Sequence, residues 1–337
     1  MVLKAFRDGL RRVNAAPSVI VAVLLLTFLM ALPLGLVLRG MLRDSLGDSL
    51  AAATAASGVN SEWWQEFSAG AAGVGVTFTP RILGFGAVLA NLSAVMDARP
   101  QALVIVGAAT AYLLLWTFLA GGILDRYARN RPIRTAAFFA ASGVYFFRFL
   151  RLAVVALAAY GLLFGVLHRW LFDVLYPWAT HDWTAERSAF VLRAALYVVF
   201  GGTLVACNLL FDYAKVRAVV EDRRSMVGAL MAAFRFLRRQ LLKAAGLYLV
   251  DGAVFVLVLA LYALVAPGAG STGWSMWAGF VVTEAYLALR LWVKLVFYAS
   301  EVSLFQGLLA HADYAAAPLP VWPESPSAEA ITPQAEP

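Results

Sequence analysis

Four ionisable residues stand inside stretches otherwise built of Leu, Val, Ala and Phe: Asp251, and then Glu284, Arg290 and Lys294. An ionisable group in hydrocarbon costs at least about 2.5–3.5 kcal/mol, so each needs an opposite charge, a polar cavity or a route to the interface. The link Pro267-Gly268-Ala269-Gly270 lies between the two stretches and predicts an antiparallel hairpin. Equal rise on either side of the link puts Asp251 and Arg290 at the same depth, which predicts an ion pair. Lys294 stands one turn past Arg290 on the same face, placed to share the aspartate or reach the interface. Glu284, nearer the middle, is left to take up a proton or to face Arg193 or a polar cavity. This cluster reads in two ways, as a salt bridge that fixes helix register or as a charged pathway through Glu284, Asp251 and Arg290.

Other chemistry is absent from the pattern. The chain has no H-E-x-x-H, no G-x-S-x-G and no phosphate-loop signature. One cysteine and three separated histidines offer no metal-ligand spacing. No catalytic residue, metal or cofactor is therefore expected, and the chain does not read as an enzyme.

The elements that must position these charges follow from composition. Of 337 residues, 62% are hydrophobic and 14% charged, against about 25% charged in a soluble domain. About 20 apolar residues cross roughly 30 Å of hydrocarbon. Six stretches qualify: 18–37, 102–124, 150–167, 190–211, 244–266 and 274–297, the last continuing as helix toward 311. The predicted fold is all-α, a polytopic transmembrane bundle over residues 1–311 with added membrane-lying amphipathic helices.

Eighteen of the 27 basic residues fall before the first stretch, between the second and third, and between the fourth and fifth. Basic loops stay inside, so both termini are expected in the cytoplasm of a bacterial inner membrane. The net charge of +7 is read by side of the membrane and not as nucleic-acid binding. Residues 40–101 form the longest outside loop. Within it Trp63 and Trp64 are expected at the membrane surface. Thr79-Pro80 opens an amphipathic helix carrying Ile82, Phe85, Leu89, Leu92 and Met96, on the outer leaflet or against the bundle, as a cap or a lid. The proline-rich tail 312–337 is expected to be disordered, and Pro318–Pro323 is a site at which a partner protein can dock.

A repeat with an offset of 87 residues links two inner turns. Asp125 and Asp212 end their helices, and twenty-two residues after each comes Phe-Arg-Phe-Leu-Arg, at 147–151 and 234–238. The expected unit is a hairpin with a cytoplasmic elbow, repeated in parallel. In the second elbow Val227, Leu230, Met231, Phe234, Leu237 and Leu241 form an apolar stripe beside Arg235, Arg238, Arg239 and Lys243. Arg148, Arg151, Arg235, Arg238 and Arg239 are the candidates for anionic lipid head groups.

Paired spans joined by an elbow, with Asp212-Tyr213-Ala214-Lys215-Val216-Arg217 before an amphipathic helix, resemble uncharacterised six-pass bacterial membrane proteins. Over about residues 100–310 they also resemble the membrane domain attached to some glycerophosphoryl diester phosphodiesterases. The resemblance implies a helical membrane domain without an assigned activity, and the soluble phosphodiesterase domain is missing from this chain. The function expected is non-enzymatic organisation of membrane lipids or partner proteins, with a transporter or permease component as the alternative.

Overall fold

The computed structural model describes residues 1–47, 49–58, 60–79, 85–267 and 273–310. The proline-rich tail, Pro80 and Ile82 of the loop helix, and the glycines of the 267–270 link lie outside them. Among the described residues the protein is all helix.

Five helices are long and apolar enough to cross a membrane. They are α2 (Pro17–Leu46), α6 (Leu103–Arg129), the continuous run Thr135–Thr180, α9 (Glu186–Val220) and α10 (Met226–Val265). The run Thr135–Thr180 comprises α7 (Thr135–Leu162), two π-helical turns, and the short α8 (Tyr176–Thr180). The expected sixth span is α11 (Trp274–Ala310), 37 residues long. Its length suffices, but Glu284, Arg290, Lys294 and Glu301 set it apart from the other five. Smaller elements are α1 (Val2–Asn14), α3 (Ala51–Ser57), α4 (Ser61–Gly70) and α5 (Phe85–Met96).

Burial divides the bundle along its axis. One core joins α1, the start of α2, the second half of α6, the first half of α7, the end of α9, the first half of α10 and the second half of α11. The other ends of the long helices share only two small clusters. One lies between α10 and α11 around Tyr262 and Tyr286, and one between the π-helical turns and α9 around Phe200. The first end is packed and the second is open, with Val198, Leu249, Leu261 and Leu264 exposed.

Small residues allow the packed end. A Cβ on Gly122 would run into Ser142 Oγ and come 2.8 Å from the Phe138 carbonyl, so α6 and α7 touch nearly backbone to backbone. A Cβ on Gly9 would come 2.7 Å from the Ser300 nitrogen, so α1 lies directly on α11. Arg12 fixes this docking by donating to the Tyr127 carbonyl at 2.8 Å and to Gln306 at 2.9 Å. The first of these serves an otherwise orphaned carbonyl in the last turn of α6.

Two turns at this end end their helices in the same way. Asn130 (φ 48°) follows α6 and Asp222 (φ 44°) follows α9. Asn and Asp are the side chains that best tolerate this left-handed backbone. Ser225 then accepts from the Gly228 N–H and caps α10. The following helices differ. Gln240 is non-helical (φ −125°, ψ 26°) and divides α10 into 226–239 and 241–265, whereas α7 carries its elbow residues within one continuous helix.

Candidate functional site

Buried polar side chains from α9, α10 and α11 gather within the packed end. Lys215 Nζ lies 2.5 Å from Asp212 Oδ1, one turn along α9. Asn208 donates to the other oxygen of Asp212 at 2.8 Å and to the Tyr248 hydroxyl at 2.9 Å, tying α9 to α10. Asp251, fully buried on α10, accepts from Ser300 Oγ on α11 at 2.6 Å. Glu301 is buried beside Ser300, and neither of its oxygens has a hydrogen-bond partner.

The cluster expected from sequence is not assembled. Asp251 meets Ser300, and no ion pair joins it to Arg290 among the described residues. The reason is register. Tyr262 stacks on Tyr286 at 4.0 Å, and Tyr248 meets Phe297 at 5.0 Å. The hairpin therefore turns later than its glycines suggest, and Arg290 falls on the exposed face above Asp251. Glu284 is half-buried without an ion pair. Lys294 neither shares the aspartate nor leaves the bundle; its ammonium sits 3.4 Å from the Trp116 ring centre and 5.7 Å from that of Tyr112. A cation over an aromatic face recovers part of its lost hydration.

The elbow acids each hold a base one turn on. Asp125 accepts from Arg129 at 2.8 Å, as Asp212 does from Lys215. Sequence reading missed Glu301 and Ser300, because the apolar count for the last helix stops near Phe297, and Asn208, an uncharged residue inside the stretch 190–211. A usable signal was present. Tyr-Ala recurs at 127–128, 213–214 and 298–299, in the packed ends of α6, α9 and α11, and also at 262–263 at the open end of α10, and all four of these tyrosines are buried.

The two Phe-Arg-Phe-Leu-Arg segments present the same faces. Phe147 and Phe234 are 67% and 57% exposed, while Phe149 is buried and Phe236 is packed against the core. Arg151 and Arg238 are exposed in both. The expected stripe on α10 splits: Leu237 is buried, whereas Val227, Met231, Phe234 and Leu241 stay outside beside exposed Arg235, Arg238 and Arg239. Arg148 differs from the other candidates. It donates to Asp222 at 2.6 Å and lies 5.1 Å from the Tyr145 ring centre, so it bridges α7 to the α9–α10 turn. In that turn Glu221 accepts from Arg217 at 2.6 Å and also from Arg223. Burial works against the charge of Glu221, but the two arginines outweigh it and hold the carboxyl below the usual glutamate range.

At the open end, Trp63 is not a surface anchor. It is buried, stacks on Phe67 at 5.4 Å, and donates to Ser45 at 3.0 Å, forming a small core of the loop with Phe78. Trp64 donates to the Phe78 carbonyl at 3.2 Å. Helix α5 straps the open end: Phe85 and Val88 join the α10–α11 cluster and Met96 joins the α9 cluster, with Leu89, Leu92 and Val95 outward. Asp97 after it accepts from Tyr197, Ser93 and Arg99; the Tyr197 bond foremost holds its carboxyl below the usual range. His168 reaches the Met96 carbonyl at 3.0 Å.

Two open grooves lie near the far end of α2. One is lined by Leu38, Arg39 and Leu42, the other by Asp44, Trp63 and Glu66. Neither is lined by Asp251, Glu284 or Lys294. No group of metal-ligating side chains occurs among the described residues. No family model, curated protein or solved structure matches the chain.

Proposed function

We propose that this chain is a six-span protein of a bacterial inner membrane whose packed end faces the cytoplasm and gathers anionic lipids, without catalysis. One observation carries the reading: on 226–239 of α10, Val227, Met231 and Phe234 are exposed on the same face as Arg235, Arg238 and Arg239. Large apolar groups left outside beside guanidinium groups suit the boundary between acyl chains and phosphates. The same arrangement at Phe147 and Arg151 on α7 supports two copies of one hairpin unit. The five apolar helices and the 37-residue α11 supply the six crossings, and the basic turns give the orientation.

Each basic residue near an anionic surface contributes about 1 kcal/mol. Replacing Arg235, Arg238 and Arg239 together by Ala should weaken binding of an anionic phospholipid to the detergent-solubilised protein roughly 100-fold. Binding of a zwitterionic lipid should not change. Equal affinities for the two lipids in the unaltered protein would reject the proposal.

A transporter is the second reading, favoured by the carboxylates of Asp251 and Glu301 inside the bundle. The pathway Glu284–Asp251–Arg290 is not its support, since these residues lie apart. Flux of a candidate solute into proteoliposomes, abolished by Asp251→Asn, would favour it over lipid organisation.

A further inference from the structure

Among the buried oxygens at the packed end that lack hydrogen-bond partners are both of Glu301, Oδ1 of Asp251 and the hydroxyl of Tyr213. Glu301 and Asp251 are at most 2% exposed. Unsatisfied polar atoms gathered at one place mark a group whose state or occupant differs from a bare carboxylate. The charges around Glu301 do not balance. From α9 come Asp212, Tyr213 and Lys215, from α10 Tyr248 and Asp251, and from α11 itself Tyr298.

Lys215 is committed to Asp212 at 2.5 Å, and Lys294 to the Trp116 ring. On α6, Arg126 turns to the Ala15 carbonyl and Arg129 to Asp125. The face of α1 that covers Ser300 is Ala5, Gly9 and Val13, and Arg12 is spent on Tyr127 and Gln306. Two acids therefore share this site with no base of their own. They are not equivalent, because Ser300 donates to Asp251 and stabilises its charge, whereas nothing donates to Glu301.

We propose that Glu301 binds a proton at neutral pH, forming a neutral acid buried beside Asp251. A lone carboxylate at such depth neutralises rather than remaining charged. The site is independent of the lipid reading, since it lies inside the bundle and the arginine face lies outside.

The test is infrared spectroscopy of the full chain carrying carboxyl-13C glutamate, at pH 7 in sodium-free buffer. The expected result is a glutamate carbonyl band of a protonated acid, shifted in deuterium oxide. It should persist in Glu284→Gln and vanish in Glu301→Gln. If Glu301→Gln fails to fold, Glu301→Asp should move the band to the aspartate-labelled sample. A wild-type spectrum without the band overturns the proposal. So does a band that persists in Glu301→Gln. A band that sodium chloride removes and choline chloride does not would make the occupant an alkali cation and would also overturn it.

Discussion

The two ends of the bundle are made from the same helices and hold together differently. At the packed end, Gly122 and Gly9 bring helices into backbone contact, and charged groups are used as ties: Arg12 on Tyr127 and Arg148 on Asp222. At the open end, leucines and valines face outward, and the described helices meet in two small clusters strapped by α5. Lipid tails are as apolar as leucine, so apolar surface gives no drive toward helix contact there. Close packing and hydrogen bonds must supply it. The contrast locates the fold's specificity in small and polar residues and leaves the long apolar runs to set only depth.

The sharpest way to break this contrast is one substitution tried at both ends of one helix. Gly122→Leu on α6 drives a side chain into Ser142 and Phe138 and should cost about 3 kcal/mol. Gly107→Leu on the same helix meets nothing within 4 Å and should change stability by less than about 0.5 kcal/mol. Denaturant unfolding in detergent would measure both, and equal losses would erase the distinction between the ends.

The docking of α1 comes next. Arg12→Ala removes the donor to Tyr127 and Gln306 and should cost about 1.5 kcal/mol. Faster amide hydrogen exchange should appear in α1 and at the end of α6, and not in α5.

Much of the helical architecture could be read from apolar runs, since a 20-residue run in lipid has few other solutions. Depth along a run was harder to read. The hairpin apex was taken from Gly268 and Gly270, but the Tyr262–Tyr286 stack sets the register and puts Ser300 opposite Asp251. Glu301 escaped because hydropathy scores a residue by its own type. Its burial comes from α9 and α10, far away in sequence, which bring Tyr213, Lys215 and Asp251 around it. Trp63 looked like a membrane anchor for the same reason: indole composition is visible, whereas the Phe67 and Phe78 rings that bury it are brought in by folding.

The paired elbows allow a smaller test within the packed end. Arg148 and Arg235 occupy equivalent positions in identical pentapeptides, but only Arg148 reaches Asp222, whose side chain is 69% exposed. Arg148→Ala should cost about 0.5–1 kcal/mol, with the bond lost equally in Asp222→Asn, because half-exposed pairs are screened. Arg235→Ala should leave stability unchanged within error. A double-mutant cycle between Arg148 and Asp222 measures the pair directly.

The smallest expected effect concerns acid. The Glu221 carboxyl is held below its ordinary value by Arg217 and Arg223 once the cost of burial is met. A group whose folded value is depressed adds stability above its unfolded value and loses it as pH falls through the folded one. The α9–α10 turn should therefore loosen only as pH drops below the ordinary glutamate range, and Glu221→Gln should flatten that part of the stability curve. Asp97 at the open end is also depressed, chiefly by the Tyr197 hydroxyl. Tyr197→Phe should shift only the loss of the α5 strap, seen as hydrogen exchange in 85–97 at low pH, and leave the packed end untouched. If both acids instead controlled one cooperative transition, the ends would be a single unit despite their different packing.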